Sequence, residues 1–106
     1  MKLGIIISTN KPESVWNVYR LANFALKEGD KVKVFLLAKG VESEIGNKKY
    51  NVKEQITQYI SKDGQIYACG TCMKSRKMKS KISCPLSSMK ELYQIVKESD
   101  KVLTFG

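Results

Sequence analysis

Residues 2–9 read KLGIIIST, and residues 10–26, NKPESVWNVYRLANFAL, follow without a spacer. The first piece is a short, β-branched apolar run closed by the polar Ser8-Thr9-Asn10, the pattern of a strand buried on both faces. The second piece is periodic in the helical sense. Pro12 suits a first helical turn, Glu13 suits the positive helix N-terminus, and Val15, Val18, Tyr19, Ala22, Ala25 and Leu26 form one apolar face.

The same alternation continues outward. Gly29 reads as a helix C-cap, and KVKVFLLA (31–38) reads as a second strand. Residues 40–50, with Gly46, Asn47 and two lysines, suggest a loop holding a short helical piece. Asn51 with Glu54 fits a cap ahead of a helix carrying Val52, Ile56, Tyr59 and Ile60. Asp63-Gly64 turns the chain into a third strand, Gln65 to Ala68, which runs into Cys69. Leu86, Met89, Leu92, Tyr93 and Val96 mark a last helix with Ser87 or Ser88 near its start, and Lys101 to Phe105 form a terminal strand. Strands alternating with helices require crossover connections, so the expected fold is a three-layer α/β/α with a mostly parallel sheet of four to five strands, in one domain over 1–106. Ligands of such sheets bind beyond the carboxyl ends of the strands, where Ser8, Thr9, Asn10, Cys69 and Cys72 should lie.

Hydrophobic residues make up 42% of the chain and charged residues 27%, a globular composition that argues against disorder. The apolar run near the start is far too short to span a bilayer, and no signal-peptide pattern is present, so a cytoplasmic protein is expected. Histidine is absent. Any catalysis must therefore rest on cysteine, carboxylate, lysine or backbone groups. Nineteen Lys plus Arg against ten Asp plus Glu, a formal charge of +9, favour an anionic partner or substrate.

The stretch YACGTCMK (67–74) sets Cys69 and Cys72 at the spacing C-x-x-C, with Cys84 as a third thiol. In a reducing compartment that spacing points to redox, metal or sulfur chemistry rather than a structural staple. A metal site would be one ligand short of a closed zinc tetrahedron, with Lys74, Arg76, Lys77, Lys79 and Lys81 lying between the second and third thiols. No metal and no cofactor are expected. A dithiol redox role fits the spacing but lacks an aromatic-flanked motif and a later opposing proline. A sulfur-carrying thiolate fits the charge, since neighbouring cations stabilise a thiolate and a persulfide alike. On this basis Cys69 is expected to be exposed and lowered in pKa, with Lys74 and Arg76 part of the cause. Cys84, before Pro85, reads equally well as a small packed hydrophobe. The run Lys74 to Lys81 is by default a solvated face, but beside a candidate thiolate a functional role is favoured. Ser8 and Asn10 either bind substrate at the sheet edge or close the turn and cap the helix, and the cap is favoured. Trp16, Tyr19 and Phe24 read as core or subunit contacts.

These residues resemble the DsrE-like sulfur-relay family (DsrE/DsrF, YchN-like) from end to end. The likeness rests on a first strand closing in Ser8-Thr9, a helix from Pro12-Glu13, the Gly40-Val41 turn, and a third strand ending in a cysteine followed by a basic stretch with Arg76. The resemblance implies a parallel α/β/α fold, homotrimers or homohexamers, and sulfur transfer through a persulfide on the cysteine after strand three, here Cys69. Cys72 has no universal counterpart in that family, and a glycine common after the arginine is Lys77 here.

The reading is a sulfur carrier or sulfurtransferase with Cys69 as carrier, Cys72 as candidate resolving thiol, and Lys74, Arg76, Ser8 and Asn10 as binding residues. Its partners are sulfur-donor and sulfur-acceptor proteins or small sulfur anions, with no membrane. The alternatives are a basic binding module for RNA or an acidic protein with passive cysteines, and the dithiol redox protein. Nucleic acid is disfavoured because the basic stretch lacks interleaved aromatics.

Overall fold

The computed structural model describes residues 1–78 and 86–106. Cys84, Lys79 and Lys81, which entered the readings above, lie outside the described residues. Strands β1 (Lys2–Ile7), β2 (Lys31–Leu36), β3 (Gln65–Cys69), β4 (Leu86–Ser87) and β5 (Lys101–Phe105) alternate with helices α1 (Pro12–Lys27), α2 (Val52–Ser61), α3 (Gly70–Ser75) and α4 (Met89–Glu98). A 3-10 turn, Ala38–Glu42, follows β2. The five strands form one sheet in the order β4-β3-β2-β1-β5, and every pairing is parallel. The three-layer parallel architecture expected from the sequence is therefore the architecture observed.

Strand order decides where the helices go. From β1 through β2 to β3 the chain steps in one direction across the sheet, whereas β4 to β5 returns over all the others. With right-handed crossovers, α1 and α2 cover one face and α4 the other. Register and alternation place Leu3, Ile5 and Ile7 beside Val32, Val34 and Leu36 on one face. These side chains are buried, and each contributes roughly 1.5–3 kcal/mol of hydrophobic stabilisation. Tyr19 of α1 meets Tyr59 of α2 edge to face, with ring centroids 5.6 Å apart. The Tyr59 hydroxyl lies 2.8 Å from the Gln65 carbonyl and 3.0 Å from that of Val32, so one proton serves the starts of two strands. Burial pushes its pKa far up.

Local signals carry most element ends. Asn51 caps α2, its Oδ1 accepting the Glu54 N–H at 3.1 Å. Ser88 caps α4, accepting from Lys90 N at 3.2 Å while its own N–H donates to Glu91 Oε2 at 2.8 Å. Leu86, expected on the last helix, instead forms β4 with Ser87, pairing with Ala68 and Cys69. The two-residue strand is too short to show a period. Ala38, expected to end the second strand, opens the 3-10 turn at φ +52. Of the three aromatics read as core or subunit contacts, Tyr19 is buried and Trp16 half-buried, while Phe24 is 60% exposed in the single chain and so is no part of its core.

Candidate functional site

Three strands of the sheet end side by side, and their loops build the site. Cys69 is the last residue of β3 and also the residue capping α3, so its position is fixed by the sheet on one side and a helical turn on the other. Its Sγ accepts the Cys72 N–H at 3.4 Å. Cys72 is half-buried, and its Sγ accepts the Ala38 N–H at 3.3 Å from the loop after β2. The two cysteines of the C-x-x-C thus share one helical turn, and a backbone donor faces each sulfur.

The loop after β2 reaches this position because Gly40 lies against β1. A Cβ on Gly40 would stand 1.8 Å from the Ile7 carbonyl oxygen, so no other residue fits. Leu37 N–H also donates to that carbonyl at 2.9 Å. Two residues past Gly40, Glu42 meets Arg76: Oε2 lies 3.5 Å from Arg76 Nε and accepts from Asn10 Nδ2 at 3.5 Å. Arg76 also donates to the Cys72 carbonyl at 3.2 Å. Asn10, Glu42 and Arg76, from three different loops, therefore tie the thiol-bearing turn to the rest of the edge.

Each residue singled out in the sequence can now be placed. Cys69, Cys72, Asn10 and Arg76 come together. Ser8 does not: its N–H and Oγ both lie against the Phe105 carbonyl, at 2.8 and 3.2 Å, on the β5 side of β1. Neither Ser8 nor Asn10 caps α1, whose cap residue is Lys11; the nearby Thr9 Oγ1 accepts the Lys11 N–H at 3.2 Å. Lys74 is exposed on α3. Glu42 was missed, and only Gly40-Val41 just ahead of it marked the loop as special.

The electrostatics of Cys69 differ from expectation. The thiol is buried, at 3% exposure, and its pKa is raised above the ordinary value near 9.0. Loss of solvation is the main cause. The Cys72 side chain raises it further, against the lowering effect of hydrogen bonds from the Cys72 and Thr71 backbone. The cations do not reverse this because Arg76 is paired with Glu42 and a backbone carbonyl, and Lys74 faces solvent.

Lys77 explains a departure noted above. Met78 N donates to Met73 O at 2.9 Å and Lys77 N to Lys74 O at 3.0 Å, the two bonds of a Schellman ending to α3. Lys77 occupies its left-handed position at φ +53, which glycine adopts freely. Among the described residues no cluster of three or more His, Cys, Asp or Glu side chains forms, and no helix is long and apolar enough to cross a membrane.

In comparison with known proteins, an uncharacterized protein of Methanopyrus kandleri is 33% identical over 100 residues, spanning 88% of this chain and 83% of that one. A second uncharacterized protein, from Methanocaldococcus jannaschii, is 34% identical over 115 residues, covering 99% of this chain and 100% of its own. The fold is shared with the YchN protein of E. coli, at TM-score 0.84 and 23% identity over 99% of this chain and 100% of that one. A conserved protein of unknown function from Bacteroides thetaiotaomicron is similar at TM-score 0.81 and 21% identity, over 98% and 94% of the two chains. With the family model matching residues 1–105, the chain belongs to the DsrE/DsrF-like family, which is associated with sulfur relay.

Proposed function

We propose that this protein relays sulfane sulfur as a cysteine persulfide, with Cys69 the carrier and Cys72 the second sulfur-handling thiol. The observation that carries the reading is the placement of both thiols in one turn at the carboxyl edge of a parallel sheet, each facing a backbone N–H. Donors of that kind stabilise an anionic sulfur, and burial at Cys69 shields a persulfide from reductants and water. Its exchange partners are sulfur-donor and sulfur-acceptor proteins or small sulfur anions, within a reducing cytoplasm.

The test is mass spectrometry of the intact protein after exposure to polysulfide and removal of excess donor. One retained sulfur atom on Cys69, released by reductant, is expected. Sulfur that survives a sulfite challenge as long in Cys69→Ser as in the unsubstituted protein would sink the carrier assignment.

We further propose that the chain acts as a homotrimer or homohexamer. Met89, Tyr93 and Val96 lie exposed along one side of α4, and Leu86 of β4 is exposed next to that helix in sequence. Light scattering at micromolar concentration giving a monomer mass would end this proposal. A second reading rests on another cluster: Trp16 and Tyr50 pack with centroids 5.4 Å apart, with Arg20 4.5 Å over Trp16 and Lys49 5.5 Å over Tyr50. The fold joins two local cation–aromatic pairs, Trp16 with Arg20 and Lys49 with Tyr50, into one cluster, a combination used by binders of single-stranded nucleic acid. Salt-sensitive quenching of Trp16 fluorescence by RNA supports that binding role, and unchanged fluorescence rejects it.

A further inference from the structure

We propose that sulfur enters this site at Cys72 and passes inward to Cys69, an order that rests on the persulfide reading above. Burial separates the two thiols. Cys69 closes β3 at 3% exposure, whereas Cys72, one turn later, is half-buried and borders the loop after β2. Displacement at sulfur needs the attacking thiolate, the transferred sulfur and the leaving group nearly in line. A polysulfide or a persulfide on another protein reaches that alignment at Cys72, where solvent can receive the departing group. At Cys69 the approach is filled by the molecule itself.

The hydrogen bonds agree with this order. Cys72 Sγ accepts from Ala38, a residue outside the helical turn, so an anionic sulfur there keeps a donor that does not depend on Cys69. Ala38 holds the left-handed φ of +52, a costly conformation for alanine, next to the thiol it serves. The donor to Cys69 is the N–H of Cys72, which sets the two sulfurs within one turn for direct exchange. Arg76, paired with Glu42, holds the Cys72 carbonyl and so keeps that turn in place.

Two balanced steps follow. The Cys72 thiolate attacks the outer sulfur of a donor R–S–SH; a new S–S bond forms on Cys72, the donor's S–S bond breaks, and R–S⁻ leaves. The Cys69 sulfur, having given up its proton, then attacks the outer sulfur of the Cys72 persulfide. The S–S bond on Cys72 breaks as one forms on Cys69, and Cys72 leaves as the thiolate that takes up the proton. No net oxidation occurs, and no reductant is consumed.

The experiment is rapid-quench loading with limiting polysulfide in the full chain carrying Cys84→Ser, so that the third thiol does not count. Samples are stopped with an alkylating agent and the sulfur is located by fragmentation. In this parent, sulfur should appear first on Cys72 and later on Cys69. In Cys69→Ser the sulfur should stay on Cys72 and be lost faster to sulfite, and Cys72→Ser should load at least about tenfold more slowly than the parent. Sulfur located on Cys69 at the earliest times, with Cys72→Ser loading at the parent rate, overturns the order while leaving the persulfide reading intact. A parent that takes up no sulfur overturns both. The time course in the parent needs no cysteine substitution within the pair, so a folding defect in either variant does not decide the outcome.

Discussion

The two edges of the sheet meet the same backbone demand with different residues. At the amino edge α1 ends in a Schellman turn at Gly29, φ +92, and α2 in another at Asp63, φ +66. Glycine has no Cβ to clash there, and aspartate is among the few other residues that visit this region. On the carboxyl side Gly46, φ +59, has the same freedom, but the two left-handed positions beside the thiols are Ala38 and Lys77, which have neither advantage. Such positions cost roughly 1 kcal/mol each, so the backbone is least relaxed around the thiols. Volume tells the opposite story: a cavity of about 440 Å³ opens at the amino edge, lined by Asp30, Lys31, Lys33, Lys62 and Glu98, with no cysteine among the described residues of its wall. The cysteine pair lies at strand ends and backbone donors, not at this empty space.

The comparison breaks most visibly at Gly40. Gly40→Ala forces a methyl into the Ile7 carbonyl and should lower unfolding free energy by about 3 kcal/mol or more, with loss of sulfur retention, in urea titrations. An amino-edge change separates stability from function. Tyr59→Phe removes the proton shared by two strand carbonyls and should cost roughly 1–2 kcal/mol, yet leave the sulfur-loading rate unchanged.

Lys77→Gly should do the reverse of a typical substitution and raise stability by about 0.5–1 kcal/mol, read as a higher urea midpoint at constant slope. Asp63→Gly at the amino edge should gain less. The raised pKa of Cys69 gives a pH signature. Because the folded value lies above the unfolded one near 9.0, the folded state holds the proton more tightly; that stability is complete below the unfolded value and is lost as pH rises through the folded one. Subtracting the alkaline stability profile of Cys69→Ser from that of the unsubstituted protein should isolate this fall, and identical profiles would contradict the burial argument. The smallest effect belongs to Glu42→Gln. The ion pair with Arg76 is partly exposed, so stability should change by no more than about 0.5 kcal/mol, while sulfur loading slows because the Cys72 turn loses its tie.

Much of the architecture was legible from near neighbours in the chain. The apolar run of β1, the helical face beginning at Val15, the Gly29 ending and the Asn51–Glu54 cap each involve residues a few positions apart, and each signal is the local geometry itself. Cys69 was readable for the same reason, since a strand running into a glycine and a second cysteine marks a turn at a sheet edge. Ser8, by contrast, chose the β5 side through a carbonyl 97 residues away, and no local pattern encodes which strand lies beside β1. Glu42 and Arg76 meet only because Gly40 lets the loop after β2 pass over Ile7.

What the sequence by itself determined is therefore the set of elements, the parallel class of sheet and the edge carrying the cysteines, because periodicity and turn chemistry act over a few residues. What only the tertiary structure decided is strand order, the burial of Cys69, the partner of Arg76 and the donor facing Cys72. Solvation of a thiol and pairing of a cation depend on groups brought together from distant parts of the chain, and those distances exist only once the sheet has closed over its core.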